Sequence, residues 1–261
     1  MIEAVTLDFG NTLVPVAAAG LRGVVSVTAR EMAERFGRFA VEDVLAAWHE
    51  ERERQFREEV PRFREVDLAQ RVVRILARLR GMAPPPPEIA WDDEAAARLS
   101  TPDETAHAVD VYSRAFIEAL PPDPAAIGVL QALAGRYRVG ILSNWPLAVT
   151  IDRYADARGW MPYLHAVVVS QRVGTIKPHP AIFEAARSAL GNPEPVSICH
   201  VGDDWAADIV GAREAGWRAA WLAIRPEDSP LPGSERDDRV QADLVVHGLH
   251  ELPEALASLD A

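Results

Sequence analysis

Asp8, Ser143, Lys177 and Asp203 follow one another along the chain as a carboxylate, a hydroxyl, an ammonium and a second carboxylate, each beside a short apolar run. Brought together, such groups suit the handling of an oxyanion beside a hard cation. Carboxylates hold Mg²⁺, with water and substrate oxygens completing its shell. A remaining carboxylate can act as a nucleophile, while an ammonium and a hydroxyl stabilise charge on a transferred group. Each residue alone has a simpler explanation. An aspartate at a strand end usually shapes a turn, Ser143-Asn144 could cap a helix starting near Pro146, and a lone lysine is ordinarily solvated. Lys177 is different because it is the only lysine among the 27 basic residues. Lysine is a compact point charge that arginine does not replace, so a role specific to lysine is expected there.

The elements that must position these groups can be read from hydrophobic period. A β-rich run at 4–7 ends in Asp8 and a Gly-Asn turn, as a buried strand leading into a loop does. Further strands are expected over 137–142, 166–170, 196–201, 218–224 and 244–247, with helices over 146–158, 181–190 and 205–216. That alternation predicts an α/β fold, a doubly wound parallel sheet covered on both faces. Ligands of such sheets bind beyond the carboxyl ends of the strands, where Asp8, Ser143-Asn144, Lys177 and Asp203-Asp204 fall. Between the first two strands, helical periods recur over 22–36, 41–58, 67–80 and 103–119, with Pro84 to Pro87 as a rigid linker. The expected organisation is an α/β core of 1–15 plus 121–261 and a helical unit, 16–120, inserted after the first strand.

Four strings, Asp8-Phe9-Gly10-Asn11-Thr12, Leu142-Ser143-Asn144, Lys177-Pro178-His179-Pro180, and Gly202-Asp203-Asp204 with Asp208, Gly211-Ala212 and Gly216, resemble the motifs of the haloacid dehalogenase superfamily. They stand in the family's order and span nearly the whole chain. The resemblance implies a Rossmannoid core with a helical cap over the site. Carried over position by position, it implies Asp8 as the nucleophile and Mg²⁺ held by Asp8, Asp203 and the backbone carbonyl of Gly10. It implies further that Ser143, Asn144 and Lys177 bind the substrate, and that Asp208 orients Lys177 or a metal-bound water. Asp204 reads as the start of a helix instead.

One position departs from the pattern. Family phosphatases carry a second aspartate two residues after the nucleophile, where this chain has Gly10. Glycine cannot move a proton, a contribution typically worth about 10²–10⁴-fold. Three readings follow. The first is a Mg²⁺-dependent phosphatase acting on a small phosphorylated metabolite, with the proton supplied by the substrate or by a cap residue such as His107, or made unnecessary by a good leaving group. The second is a 2-haloacid dehalogenase-like hydrolase, whose halide leaves unprotonated, although dehalogenases have a Ser-Asn type sequence in place of Gly202-Asp203-Asp204. The third is a catalytically impaired binding or regulatory protein of the same fold. A phosphonate-cleaving relative would need a cap lysine, and Lys177 is the only lysine.

Composition narrows the partners. The 261 residues are 49% hydrophobic and carry a net charge of −12. Such a surface repels nucleic acid and anionic membranes, so a small-molecule substrate is expected. The uncharged stretch at 9–21 is shorter than the ~20 apolar residues a membrane span takes, and Glu3 and Asp8 stand where a secretory signal has basic residues. A cytoplasmic location is therefore expected. Cys199 is the sole cysteine, which leaves no intrachain disulfide and no cysteine-based zinc site. The charge-dense stretch at 51–65 reads as a solvated helix face, His200 as a core histidine, and Trp145 and Trp205 as core packing beside the crevice.

Overall fold

Ala4–Leu7 (β1), Arg138–Ser143 (β2), Ala166–Val169 (β3), Ile198–Gly202 (β4), Arg218–Leu222 (β5) and Leu244–Val246 (β6) pair in parallel, in the order β3-β2-β1-β4-β5-β6. The structure, a computed structural model, describes residues 1–83 and 98–259. Every strand expected from the sequence is present. The order reverses at β1, which lies between β2 and β4, and this is the switch point where open parallel sheets leave a crevice. Register brings the strand ends level there, since Leu7 is opposite both Ile141 and Val201.

Alternation along each strand divides the core into two layers. Val5, Leu7, Val139, Ile141, Cys199 and Val201 pack on one face with apolar residues of the helices Ala126–Ala134, Ala148–Ala157 and Leu252–Ser258. Ala4, Leu142 and Ile198 pack on the other face with the helix Pro180–Ala189 and the helical segment after β4. A buried parallel sheet needs this double cover, because both of its faces are apolar. The segment after β4 begins as a π-helical turn, Trp205–Val210, and continues as an α-helical turn, Gly211–Glu214.

Between β1 and the sheet-packing helix Ala126–Ala134 the described residues form four α-helices: Ala18–Arg35 (α1), Val41–Glu58 (α2), Leu68–Leu79 (α3) and Pro102–Ala119 (α4). Asp67 caps α3 by accepting from the Gln70 amide at 3.0 Å. Thr101 and Glu104 form a reciprocal capping box at the start of α4, with Pro102 in the first turn. The proline run at 84–87 lies outside the described residues. The charge-dense stretch at 51–65 is the salt-bridged, largely solvent-facing surface expected, with ion pairs such as Arg52–Glu53 and Arg57–Glu58, except at two positions. Glu51 is fully buried, paired with Arg54 at 2.8 Å and Arg78 at 2.5 Å, and Gln55 is 2% exposed. Packing of α2 on α3 buries these groups, and the arginines supply the pairing that a buried carboxylate requires. Among the described residues no helix is long and apolar enough to cross a membrane.

Candidate active site

Asp8 leaves β1 with its amide donating to the Val201 carbonyl at 2.8 Å, which fixes its position against the neighbouring strand. The loop then closes on itself. Asn11 takes the left-handed conformation at φ 59, its amide donates to Val14 O, and its side-chain oxygen accepts from the Val16 amide at 3.1 Å. Asparagine tolerates that conformation better than most residues. Phe9, fully buried, anchors the loop in an aromatic cluster with Trp145 and Tyr154 at centroid distances of 5.4 and 5.2 Å.

The Lys177 ammonium is the centre of the site. It donates to Asp8 Oδ1 at 2.9 Å, Asp208 Oδ1 at 2.6 Å and the Leu142 carbonyl at 2.9 Å, a number that matches its three N–H donors. The Lys177 main chain is gripped by Asn144, whose Oδ1 accepts from the Lys177 amide at 2.7 Å and whose Nδ2 donates to the Lys177 carbonyl at 3.0 Å. Asn144 thus places Lys177, and its amide is committed to that backbone. Lys177-Pro178 is a cis peptide bond.

Asp208 reaches Lys177 from the π-helical turn, and its second oxygen accepts from the Asp204 amide at 2.9 Å. A Cβ on Gly202 would stand 2.1 Å from Asp208 Oδ2, so only glycine lets this carboxylate lie over the end of β4. Asp203 accepts from Arg225 Nη1 at 3.2 Å and Asn11 Nδ2 at 3.3 Å. Asp204 instead caps the turn, accepting from the Ala207 amide at 2.8 Å, and also holds Ser234. Ser143 Oγ, at the end of β2, is buried and has no hydrogen-bond partner among the described residues. An unpaired buried hydroxyl is costly and is available to a ligand.

Charge is distributed unevenly. Burial works against the Lys177 ammonium, but Asp208 and Asp8 outweigh it and hold its pKa above the ordinary lysine value. Burial likewise opposes the Asp208 carboxylate, and Lys177 with His200 overcomes it, keeping Asp208 ionised well below the usual range. Asp8 is raised, by burial first and by Asp208 in addition, against the pull of Lys177. Asp203 is pushed up to about 8 by burial, with Asp208 and Asp8 adding to it. Oxygen atoms of Asp8, Asp203 and Asp208 all lie within 4.8 Å of one another. Lys177 and Arg225 bring two positive charges to three carboxylates, and the remaining negative charge adds to burial in raising Asp203.

Most of the residues singled out from sequence meet here. Asp8, Gly10, Asn144, Lys177, Asp203 and Asp208 line one cavity of about 340 Å³, and Ser143 lies at the strand end beside them. His107 does not join them: its Nε2 is 2.9 Å from Glu31 Oε1 and its ring packs on Phe36, away from the cavity lining. Trp205 packs edge-on to Trp221 at 5.1 Å, whereas Trp145 is 2% exposed and also walls the cavity. Sequence reasoning missed the part played by His200. It is a core histidine, but Thr6 Oγ1 lies 2.8 Å from its Nδ1 and Asp208 Oδ1 lies 3.1 Å from its Nε2. Burial and Lys177 lower its pKa, so a neutral ring fits, with Nε2–H donating to Asp208 and Thr6 donating to Nδ1. The signal was present in strand parity, since Thr6 shares a face with Asp8 and is paired in register with His200. Arg225, Ser229 and Leu231, from the long connection after β5, carried no such signal. Leu231 Cδ1 would stand 2.6 Å, and Trp145 Cζ3 3.2 Å, from a Cβ on Gly10. Apolar side chains fill the space beside the glycine.

A parallel sheet with a helical insertion after its first strand, and a carboxylate–ammonium cluster at its switch point, define a doubly wound α/β protein. The sequence profile of haloacid dehalogenase-like hydrolases matches residues 2–216, and the chain belongs to that family. It is 30% identical over 147 residues to the pyrimidine 5'-nucleotidase YjjG of Escherichia coli, a match covering 56% of this chain and 62% of that protein. A glyceraldehyde 3-phosphate phosphatase of Methanopyrus kandleri is 31% identical over 144 residues, 52% of this chain and 61% of the relative. The chain thus spans about three fifths of the length of each of these two curated relatives. Among solved structures, a 2-haloacid dehalogenase from Pseudomonas syringae superposes with a TM-score of 0.71 at 23% identity, covering 99% of this chain and all of that one. A phosphatase from Thermococcus onnurineus gives 0.60 at 21% identity and 98% of each chain. These two likenesses establish the fold.

Proposed function

We propose that the protein is a Mg²⁺-dependent phosphatase that hydrolyses a small phosphorylated metabolite through Asp8, with the α/β core of 1–15 and 121–261 supplying the chemistry and the helices of 16–120 acting as a cap. The observation that carries this reading is the Lys177 ammonium between Asp8 and Asp208, beside a third carboxylate pushed up to about 8. That surplus of hard oxygen donors fits a divalent cation of the Mg²⁺ type. Asp8, Asp203 and the Gly10 carbonyl would hold it, since Asp208 is committed to Lys177 and to the Asp204 amide. When bound, the cation neutralises carboxylate charge and polarises the phosphoryl oxygens.

The chain's own groups then divide the work. Lys177 favours the ionised form of Asp8 against the burial that raises it, and offers positive charge to the phosphoryl group, while Ser143 donates its unpaired hydroxyl to a phosphoryl oxygen. Asp8 attacks phosphorus as the ester P–O bond breaks, and the bonding pair leaves with the alcohol oxygen. Water then attacks the phosphoryl group on Asp8, releasing inorganic phosphate and restoring the carboxylate. Gly10 offers no proton to the departing oxygen, so the reading favours esters whose alcohol leaves readily or whose own groups supply the proton. The curated relatives named above, a nucleotidase and a phosphatase, support the phosphoryl reading over dehalogenation.

The test is turnover of p-nitrophenyl phosphate with and without Mg²⁺, since its phenolate leaves without a proton. Mg²⁺-dependent release abolished by Asp8→Asn is the expected result. No release at high enzyme, together with halide release from 2-haloacids, would overturn the phosphatase reading in favour of a dehalogenase. Inactivity in both assays would leave a binding protein.

A further inference from the structure

The helical insertion carries a cation that the chemistry above does not use. Arg71, on α3, is 6% exposed and lines the same cavity as Asp8. Its guanidinium sits over the Trp48 ring at 5.7 Å, and its Nε donates to Gln55 Oε1 at 2.7 Å, the single side-chain hydrogen bond of Arg71 among the described residues. Gln55 is itself held in place, donating to the Asp67 carbonyl at 3.0 Å. No carboxylate among the described residues forms an ion pair with Arg71. Glu65 and Asp67 are near enough to favour its charge, yet both are committed elsewhere. Glu65 accepts from Ser170 Oγ and the Val66 amide, and Asp67 accepts from the Gln70 amide and from Gln171 Nε2. Burying a cation is expensive unless an anion meets it, and a guanidinium presents a fork suited to a carboxylate or phosphate.

Two neighbours reinforce the point. Tyr112, on α4, is 5% exposed, lines the cavity, stacks on Trp48 at 6.2 Å, and has no hydrogen bond for its hydroxyl among the described residues. Arg52, on α2, brings a second guanidinium to the lining and donates to the Pro230 carbonyl at 3.1 Å. In a chain of net charge −12, the cavity thus has its aspartates gathered at the strand ends, and two arginines with the single carboxylate Glu65 on the insertion.

We propose that Arg71, with the Tyr112 hydroxyl, is a second oxyanion subsite, so that the substrate is a phosphate monoester carrying another anionic group at the end away from the reacting phosphate. This rests on the phosphatase reading, and binding separates the two. Asp8→Asn protein with Mg²⁺ is titrated calorimetrically with two matched pairs: glycerol 3-phosphate against 3-phosphoglycerate, and fructose 6-phosphate against fructose 1,6-bisphosphate. The doubly anionic member of at least one pair should bind about tenfold or more tightly, as expected for one charge-assisted contact, and the pair that shows it tells a carboxylate from a phosphate. Adding Arg71→Met should bring that ratio close to one, Arg71→Lys should restore part of it, and Tyr112→Phe, which removes only a hydroxyl, should reduce it without disturbing the packing. Equal affinities in both pairs, no measurable binding by any of the four ligands, or a ratio untouched by Arg71→Met and Tyr112→Phe would overturn the subsite. Preferential binding that Arg71 controls, with no Mg²⁺-dependent phosphate release by the wild-type protein, would keep the subsite and remove the phosphatase reading.

Discussion

Lys177 and Asp208 are nearly inaccessible to solvent and 2.6 Å apart, so each is the reason the other can be buried. Removing one partner leaves an uncompensated charge in a low-dielectric site. Asp208→Ala should therefore cost about 3–5 kcal/mol, measured by urea unfolding. Asp208→Asn should cost less, because the amide can still hydrogen-bond. At residue 10 the obstacle is steric as well as chemical. A side chain there meets Leu231 Cδ1, the mobile end of a leucine, before it can reach a leaving group. Gly10→Asp with Leu231→Ala should raise turnover of alkyl phosphates far more than of aryl phosphates, and more than Gly10→Asp alone. Equal, negligible effects on both ester types would show that the missing carboxyl does not limit the reaction.

At the scale of elements, the end of β4 is the tightest joint. Gly202→Ala would drive a Cβ into the Asp208 carboxylate from a strand whose backbone cannot retreat. Strain of this kind typically costs about 1–3 kcal/mol. Turnover should fall with it, because Asp208 would lose its hold on Lys177. Thermal denaturation and p-nitrophenyl phosphate turnover together check this. These joints also mark how far sequence reasoning reaches. The strands, and the residues at their carboxyl ends, were legible because buried parallel strands are short apolar runs with abrupt ends. The boundaries of α2 agreed at both ends, and α1 began four residues earlier than its periodicity indicated, at an alanine with no side-chain cap to announce it. Residues 223–243 were opaque. They have no repeating period, and their places are set by single contacts to distant residues, such as Ser229 with Asn11 and Arg225 with Asp203. Burial of Glu51 was opaque for a related reason, since charge density along one helix does not reveal which arginines of another will cover it.

For the whole molecule, the insertion and the core meet through Glu65, which is half-buried and accepts from Ser170 Oγ of the core. Burial raises its pKa above the ordinary 4.5, with Ser170 and the Val66 amide pulling the other way. The folded state therefore holds this proton to higher pH than the unfolded chain does. The stability it contributes is complete below pH 4.5 and is lost as pH rises through the folded value. Glu65→Gln removes that dependence. The difference in Tm, variant minus wild type, should thus grow as pH rises above 4.5. A constant difference would mean that Glu65 does not titrate in the folded state.

The central place of β1 has a further consequence, during synthesis. Ala4 is paired with Arg138 on one side and Ile198 on the other, so the strand that presents Asp8 is made long before either neighbour. At translation rates of about 5–20 residues per second, the first partner follows by roughly 7–27 s. Throughout that interval Val5, Leu7 and Phe9 have no sheet to enter, while the intervening helices can form from local contacts as they emerge. The chain therefore leaves the ribosome with its active-site strand waiting, and it is in that window that chaperones, or aggregation, would find it.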